Sequence, residues 1–327
     1  MISLPVTCPV FIGRRAELDV LAGARRGLAQ SRGSFVLIGG EAGVGKSRLT
    51  AHFLQRSGDR RARNVATAEC RQDVVEPLRP IRTILEAFLS AGEPLELPST
   101  ARRALARIGR GPADAGYESA GGPLDRADFY AGLVALFVAL AAKRATILII
   151  EDIHWADSST LDFLTYLAPS VAGTRLLVIA THRSEELEGN RQLLRARTRI
   201  EREATVRHLT LEPFEGGELS DLIVSALDGR ATIDDASFQS IVTRSEGNAF
   251  FAEELLKDAL TSRRRYDGRL PISIRGTIAA RLENFDRFER RVLSYAAVLG
   301  LRFDPALLAA ILAQDIEDVL PVLAHAR

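Results

Sequence analysis

The stretch SFVLIGGEAGVGKSRLTAHFL, residues 34–54, decides the fold. Its opening apolar run stops on glycine, which predicts a buried strand meeting a tight turn. From Lys46 onward the spacing is helical, with Leu49, Phe53 and Leu54 on one side and a stop at Gly58. Between the two, Gly40 to Ser47 fits G-x-x-x-x-G-K-[ST] in full. Glycines at those positions let the backbone wrap closely and turn successive N–H groups inward. The positive end of the helix that follows favours an anion in the same place. Lys46 reaches the β- and γ-phosphates as a point charge, and Ser47 offers its hydroxyl to Mg²⁺. A glycine-rich turn with an incidental lysine yields these letters in roughly one such chain in several hundred. The strand–loop–helix context therefore decides for a phosphate-binding loop. Gly40, Glu41, Ala42, Gly43, Val44, Gly45, Lys46, Ser47 and the adjoining Arg48 are assigned to the nucleotide.

A second stretch, ILIIEDIHWADSST (147–160), runs four apolar residues straight into Glu151 and Asp152. Two adjacent carboxylates there either mark a solvated strand end or face something positively charged. Beside a phosphate loop, a strand tip is where an acid for Mg²⁺ is delivered, and a neighbouring acid can deprotonate the attacking water. Glu151 takes the metal-linked position and Asp152 the water-activating one, the reverse of the usual Asp-then-Glu order. The run RLLVIATHR (175–183) predicts another strand, and Arg183 at its tip suits a γ-phosphate sensor. Trp155 is expected to pack under the next helix, whose N-cap is Asp157. His154 has a weaker claim to contact substrate or partner. Five scattered histidines and two cysteines make no zinc pattern.

The remaining pattern alternates. NVATAEC (64–70) and VRHLTLEPF (206–214) read as strands; IRTILEAFL (81–89), DRADFYAGLVALFVALAAKR (125–144) and SSTLDFLTYLAPSVAG (158–173) read as helices. Strands alternating with helices predict an α/β protein with a parallel sheet covered on both faces. Residues 91–125, rich in Pro, Gly and Arg, read as an irregular insertion. Beyond about 214 the pattern is helical throughout. Boundaries are expected near 214 and within SRRRYDGRLP (262–271), giving segments 1–214, 215–268 and 269–327. The final DIEDVLPVLAHAR reads as a helix in mid-course, so the chain is expected to continue. A net charge of +1 gives no global pull toward nucleic acid or an anionic membrane, and no apolar run is long enough to span one. Two cysteines and no secretory start point to the cytoplasm.

PVFIGRRAEL (9–18), GGEAGVGKS, ILIIEDIHWAD, VIATHR and SEGNAFFAEELL (245–256) stand in an order that resembles the AAA-like module of signal-transduction ATPases. Such modules occur in LuxR/MalT-type transcription activators and beside class III adenylyl cyclases, and they are similar to origin-recognition AAA domains. The resemblance implies a P-loop NTPase sheet domain, a helical lid and a partial winged-helix domain. It places Phe11, Ile12, Gly13 and Arg14 against the adenine or ribose. SEGNAFF resembles the lid's Gly-Asn-Pro-Phe-Phe motif, with Ala249 where the proline stands. The implied activity is slow hydrolysis of ATP with Mg²⁺, working as a switch. Its implied partners are ATP or ADP, further copies of the chain, and an effector or sensor outside it, with no direct nucleic-acid contact. The rivals are a DNA-acting motor, which needs a basic channel, and a scaffold that holds nucleotide without turnover.

Overall fold

Five short apolar runs pair side by side into one sheet. A computed structural model describes residues 8–56, 63–73, 76–90, 97–108, 126–187, 189–227, 229, 232–261, 271–283, 285–300 and 303–326. The strands are β1 (Ser34–Gly40), β2 (Arg63–Glu69), β3 (Ala145–Glu151), β4 (Leu176–Thr181) and β5 (Val206–Leu211). They lie in the order β2-β3-β4-β1-β5, and every neighbouring pair is parallel. Parallel neighbours need crossovers, and helices supply them here. β1 and β3 are thus separated by β4 alone, so all three strand tips open at the same edge.

The two-residue period of the strands sorts the core into two layers. Val36, Ile38, Ile147, Ile149, Leu177 and Ile179 face α1 (Arg15–Gly27) and α2 (Lys46–Arg56). Phe35, Leu37, Leu148, Ile150, Val178 and Ala180 face the opposite side. There they meet α3 (Arg79–Leu89), α4 (Ser99–Ile108), α5 (Arg126–Lys143), α6 (Ser158–Val171) and α7 (Arg191–Glu203). The same alternation carries Glu151, two residues past Ile149, to the side of α2. Asp157 caps α6 as expected, its carboxylate accepting the Thr160 N–H at 3.0 Å.

One sequence expectation needs correction. Within the segment read as irregular, Ser99–Ile108 forms α4. Its Ala101, Ala104 and Ile108 make a thin buried stripe among arginines, docking on α5 where Gly132 lets the helices approach. α7 was not singled out by its letters either, since Leu193, Ala196 and Ile200 are spread through an arginine-rich run. Residues 91–96 and 109–125, the expected stop at Gly58 and the expected boundary over 262–270 lie outside the described residues.

The chain divides into two compact units, one comprising Pro9–Leu222 with Gly247–Ala249 and the other the rest. After β5 the described residues form only helices: α8 (Gly216–Leu227), α9 (Asp235–Ser245), α10 (Ala249–Thr261), α11 (Ile272–Glu283), α12 (Arg287–Leu299), α13 (Pro305–Leu312) and α14 (Ile316–His325). The last three share a small core of Val292, Leu308, Leu312, Val319 and Val322. Among the described residues no helix is long and apolar enough to cross a membrane. The apolar run in α5 is buried against the sheet.

Candidate functional site

The loop from Gly40 to Lys46 turns through positive φ at Gly40 (149°), Gly43 (83°) and Gly45 (105°), conformations that a side chain resists. Space beside Gly45 is open: a Cβ there would meet no atom within 4 Å. Lys46 is buried at the start of α2, and its ammonium donates to the carbonyls of Gly40 (2.7 Å) and Glu41 (2.8 Å). Burial pushes that ammonium below the ordinary lysine value, against the upward pull of Asp152, Glu185 and Glu186. Ser47, in the first turn of α2, is exposed.

Glu151 sits where the alternation sends it. Its Oε1 accepts the Thr50 hydroxyl at 2.9 Å, one turn along α2 from the loop. Asp152 leaves the strand in the left-handed region, with φ 56°, and starts a single 3₁₀ turn over Ile153–Trp155. That is an uncommon conformation for a non-glycine residue, of the kind held at functional sites. Its N–H donates to the Thr181 hydroxyl at 3.0 Å, which fixes it to the tip of β4. Burial raises the Asp152 carboxyl above its ordinary value, while Lys46 and Arg183 pull it down. Those two cations are what Asp152 faces at the end of β3.

Arg183 follows β4. Its guanidinium donates to Glu186 at 3.0 Å and lies 4.5 Å over the Trp155 ring centre. Trp155 packs against the core, as its sequence suggests, and also serves as a platform for this arginine. His154 is buried beside it, with its pKa pushed down to about 3 chiefly by burial, then by Arg183 and Lys46. The Glu185 carboxylate accepts the N–H of Ala42 in the loop at 3.4 Å.

The segment from Phe11 to Arg14 runs alongside α2. Phe11 stacks on His52 with ring centres 4.0 Å apart, and Arg48 donates to the Val10 carbonyl at 2.9 Å. Arg14 donates to the Glu212 carbonyl and lies 4.5 Å over the Phe214 ring, so the segment bridges α2 and the exit of β5. Asn248, from the SEGN stretch, donates its amide to the Ala42 carbonyl at 2.9 Å. Gly247 next to it has φ 81°, and a Cβ there would lie 2.4 Å from the Phe214 carbonyl oxygen. Gly247→Ala is therefore expected to lower unfolding free energy by about 2–4 kcal/mol, combining left-handed strain with a displaced backbone. Urea denaturation measures this; an unchanged midpoint would contradict the packing described.

The family model for the AAA ATPase domain matches residues 10–179, more than half of the 327. The chain belongs to that family. No curated protein matches it in sequence. Among solved structures, this AAA ATPase resembles the Walker-type ATPase of Pyrococcus abyssi at 17% identity and TM-score 0.60, covering 96% of this chain and 89% of that one. It also resembles the ORC2 protein of Aeropyrum pernix, at 15% identity and TM-score 0.58, over 93% and 80%. The ORC1 protein from that organism, solved in complex with DNA, gives 16% and 0.53, over 98% and 85%. At such identities the likeness shows the fold.

For a AAA ATPase the donor set suits Mg²⁺. That ion keeps several waters and takes few protein ligands, and among the described residues no group of three or more acidic, His or Cys side chains forms a dedicated cage. An exposed Ser47 hydroxyl and the Glu151 carboxylate fit that need. Four partners were not foreseen as site residues: Thr50, Thr181, Glu186 and Asn248. Asn248 and Thr181 stand inside the quoted SEGNAFF and VIATHR motifs, and Glu186 in the letters THRSEE, whereas Thr50 left no such trace.

Proposed function

We propose that this AAA ATPase binds ATP and ADP with Mg²⁺ and works as a slow, nucleotide-dependent regulatory switch. The observation that carries this reading is the meeting of Lys46, Asp152 and Arg183 at one edge of the sheet. Asp152 feels both cations, with Lys46 at the start of α2, Asp152 just past β3 and Arg183 just past β4. Carboxyl ends of parallel strands are the usual ligand crevice of such sheets.

Each residue has a job in the hydrolysis of ATP and water to ADP and phosphate. Lys46 exchanges its loop carbonyls for β- and γ-phosphate oxygens. Ser47 and Glu151 would hold Mg²⁺, which would supply charge neutralisation for the phosphates. Asp152 accepts the proton of the attacking water, and Arg183 contacts the γ-phosphate. Phe11 to Arg14 line the base or ribose, with Phe11 braced by His52. A switch needs unequal contact with ATP and ADP, because equal binding shifts no equilibrium. Arg183 supplies that inequality.

In this reading residues 1–214 are the ATPase domain, 215–268 the lid and 269–327 the start of a winged-helix-like module. Together they form the N-terminal module of a larger cytoplasmic signalling or transcription regulator, of the LuxR/MalT kind or the kind found beside class III cyclases. Nucleotide controls self-association, and output passes to an effector outside this segment. With a net charge of +1, DNA is expected to leave turnover unchanged.

Calorimetric titration with ATP and ADP, with and without Mg²⁺, tests the reading. Micromolar or tighter binding is expected, with turnover below about 1 s⁻¹, under the usual enzymic range. Failure of both nucleotides to bind would overturn it.

A further inference from the structure

Glu186 sits between two donors and holds only one of them. One carboxylate oxygen holds Arg183 at 3.0 Å. The other lies 3.8 Å from Nε2 of His154, beyond hydrogen-bond length. The His154 ring is held from its other nitrogen: Nδ1 accepts the backbone N–H of Arg183 at 3.4 Å, and Asn190 donates to the His154 carbonyl at 3.0 Å. A neutral imidazole that accepts at Nδ1 carries its hydrogen at Nε2. That Nε2 is fully buried and has no protein hydrogen-bond partner among the described residues. Burying such a donor without a partner is costly, so it gains from any acceptor that comes within reach.

We infer that Glu186 is a positioning residue which competes with the γ-phosphate for Arg183, and that His154 Nε2–H is the donor that receives its carboxylate when Arg183 is taken. The inference rests on the nucleotide reading above and adds a residue that sets the preference between ATP and ADP. With Glu186 engaged, Arg183 is parked on the Trp155 ring, 4.5 Å away, with its charge already neutralised. ADP has no group to draw it off. A γ-phosphate does, and the vacated Glu186 needs only a small turn to close the 3.8 Å gap to His154. Burial raises the Glu186 carboxyl, so a carboxylate left by Arg183 is drawn to the nearest remaining donor, His154.

The consequence is counter-intuitive in sign. Removing the negative charge of Glu186 frees Arg183 and should improve ATP binding, whereas an Arg183 that merely needed Glu186 for support would bind ATP worse. Titrations of the purified chain with ATP and with ADP in Mg²⁺ separate these cases. Glu186→Gln is expected to tighten ATP by about fivefold, the scale of one partly exposed ion pair, and to leave ADP within about twofold. In an Arg183→Ala background the same substitution should have no effect on the ratio, and Glu186→Asp should behave more like the wild type. His154→Phe, which removes the receiving donor, should lower the ATP-to-ADP preference. A general loss of negative charge would instead tighten both nucleotides and persist without Arg183, which overturns the inference, as does weaker ATP binding by Glu186→Gln. An unchanged ratio in His154→Phe removes His154 from the exchange. A wild-type chain that binds neither nucleotide refutes the underlying reading, and an Arg183→Ala chain with wild-type preference refutes the sensor role; both differ from failure at Glu186.

Discussion

Lys46→Ala is expected to weaken ATP binding by about 100- to 1,000-fold, or about 3–4 kcal/mol, as measured by calorimetry. The loop's glycines supply partial charges through their amides, but Lys46 is the full positive charge of the motif, and only three lysines occur in the chain. It is buried, so its field is poorly screened by water. Lys46 also tethers the loop to itself through the Gly40 and Glu41 carbonyls. Alanine therefore removes both a phosphate partner and an internal brace. Lys46→Arg separates the two: it keeps the charge but replaces a compact ammonium with a wide planar fork, so it should restore little affinity. Affinity within about threefold of wild type for Lys46→Ala would mean that nucleotide does not use this loop.

The sheet was legible because its signals are local. A short apolar run ended by glycine or by polar and charged residues, repeated at intervals filled by helical spacing, needs nothing distant to be read, and β1, β3 and β4 appear where those runs stand. α4 and α7 were not, for one reason: each buries a stripe of only three residues, mostly small or diluted by arginine. Their helicity is settled by packing on α5 and α6, which no window of sequence contains.

The site divides along the same line. Gly40 to Ser47 is readable because the backbone itself does the binding, and the strand-end acids because β3 carries them to its tip. What could not be read are the side chains that hold those groups. Thr50 reaches Glu151 across 101 residues of chain, and Asn248 reaches Ala42 across 206. Glu186 stands three residues from Arg183 and was visible as a letter. Its function depends on His154, which comes from another strand tip. The tryptophan was readable as core, and its second use as a platform for Arg183 follows only when β3 and β4 are known to be neighbours.

Asp152→Asn is expected to cut turnover by about 100- to 1,000-fold while leaving ATP affinity within about threefold, because a general base acts in the transition state and not in ground-state binding. Asparagine preserves shape and keeps the N–H to Thr181, so the left-handed turn at the end of β3 should persist. The pH profile gives an independent check. Burial holds the Asp152 carboxyl above its ordinary value, so the acid limb of kcat/KM, which reports the free enzyme, should lie above where an ordinary aspartate would put it. Activity is present above that limb, where the carboxylate can accept a proton, and is lost as pH falls through it; the asparagine variant should lack the limb. The parallel change Glu151→Gln ought to behave differently, raising the Mg²⁺ concentration needed for half-maximal binding of ATP. If Asp152→Asn turned over like the wild type, the scaffold reading would gain: the chain would hold nucleotide without chemistry at this carboxylate. If instead Asp152→Asn lost ATP binding and Glu151→Gln lost only turnover, the two acids would exchange roles, with the second carboxylate on the metal and the first on the water.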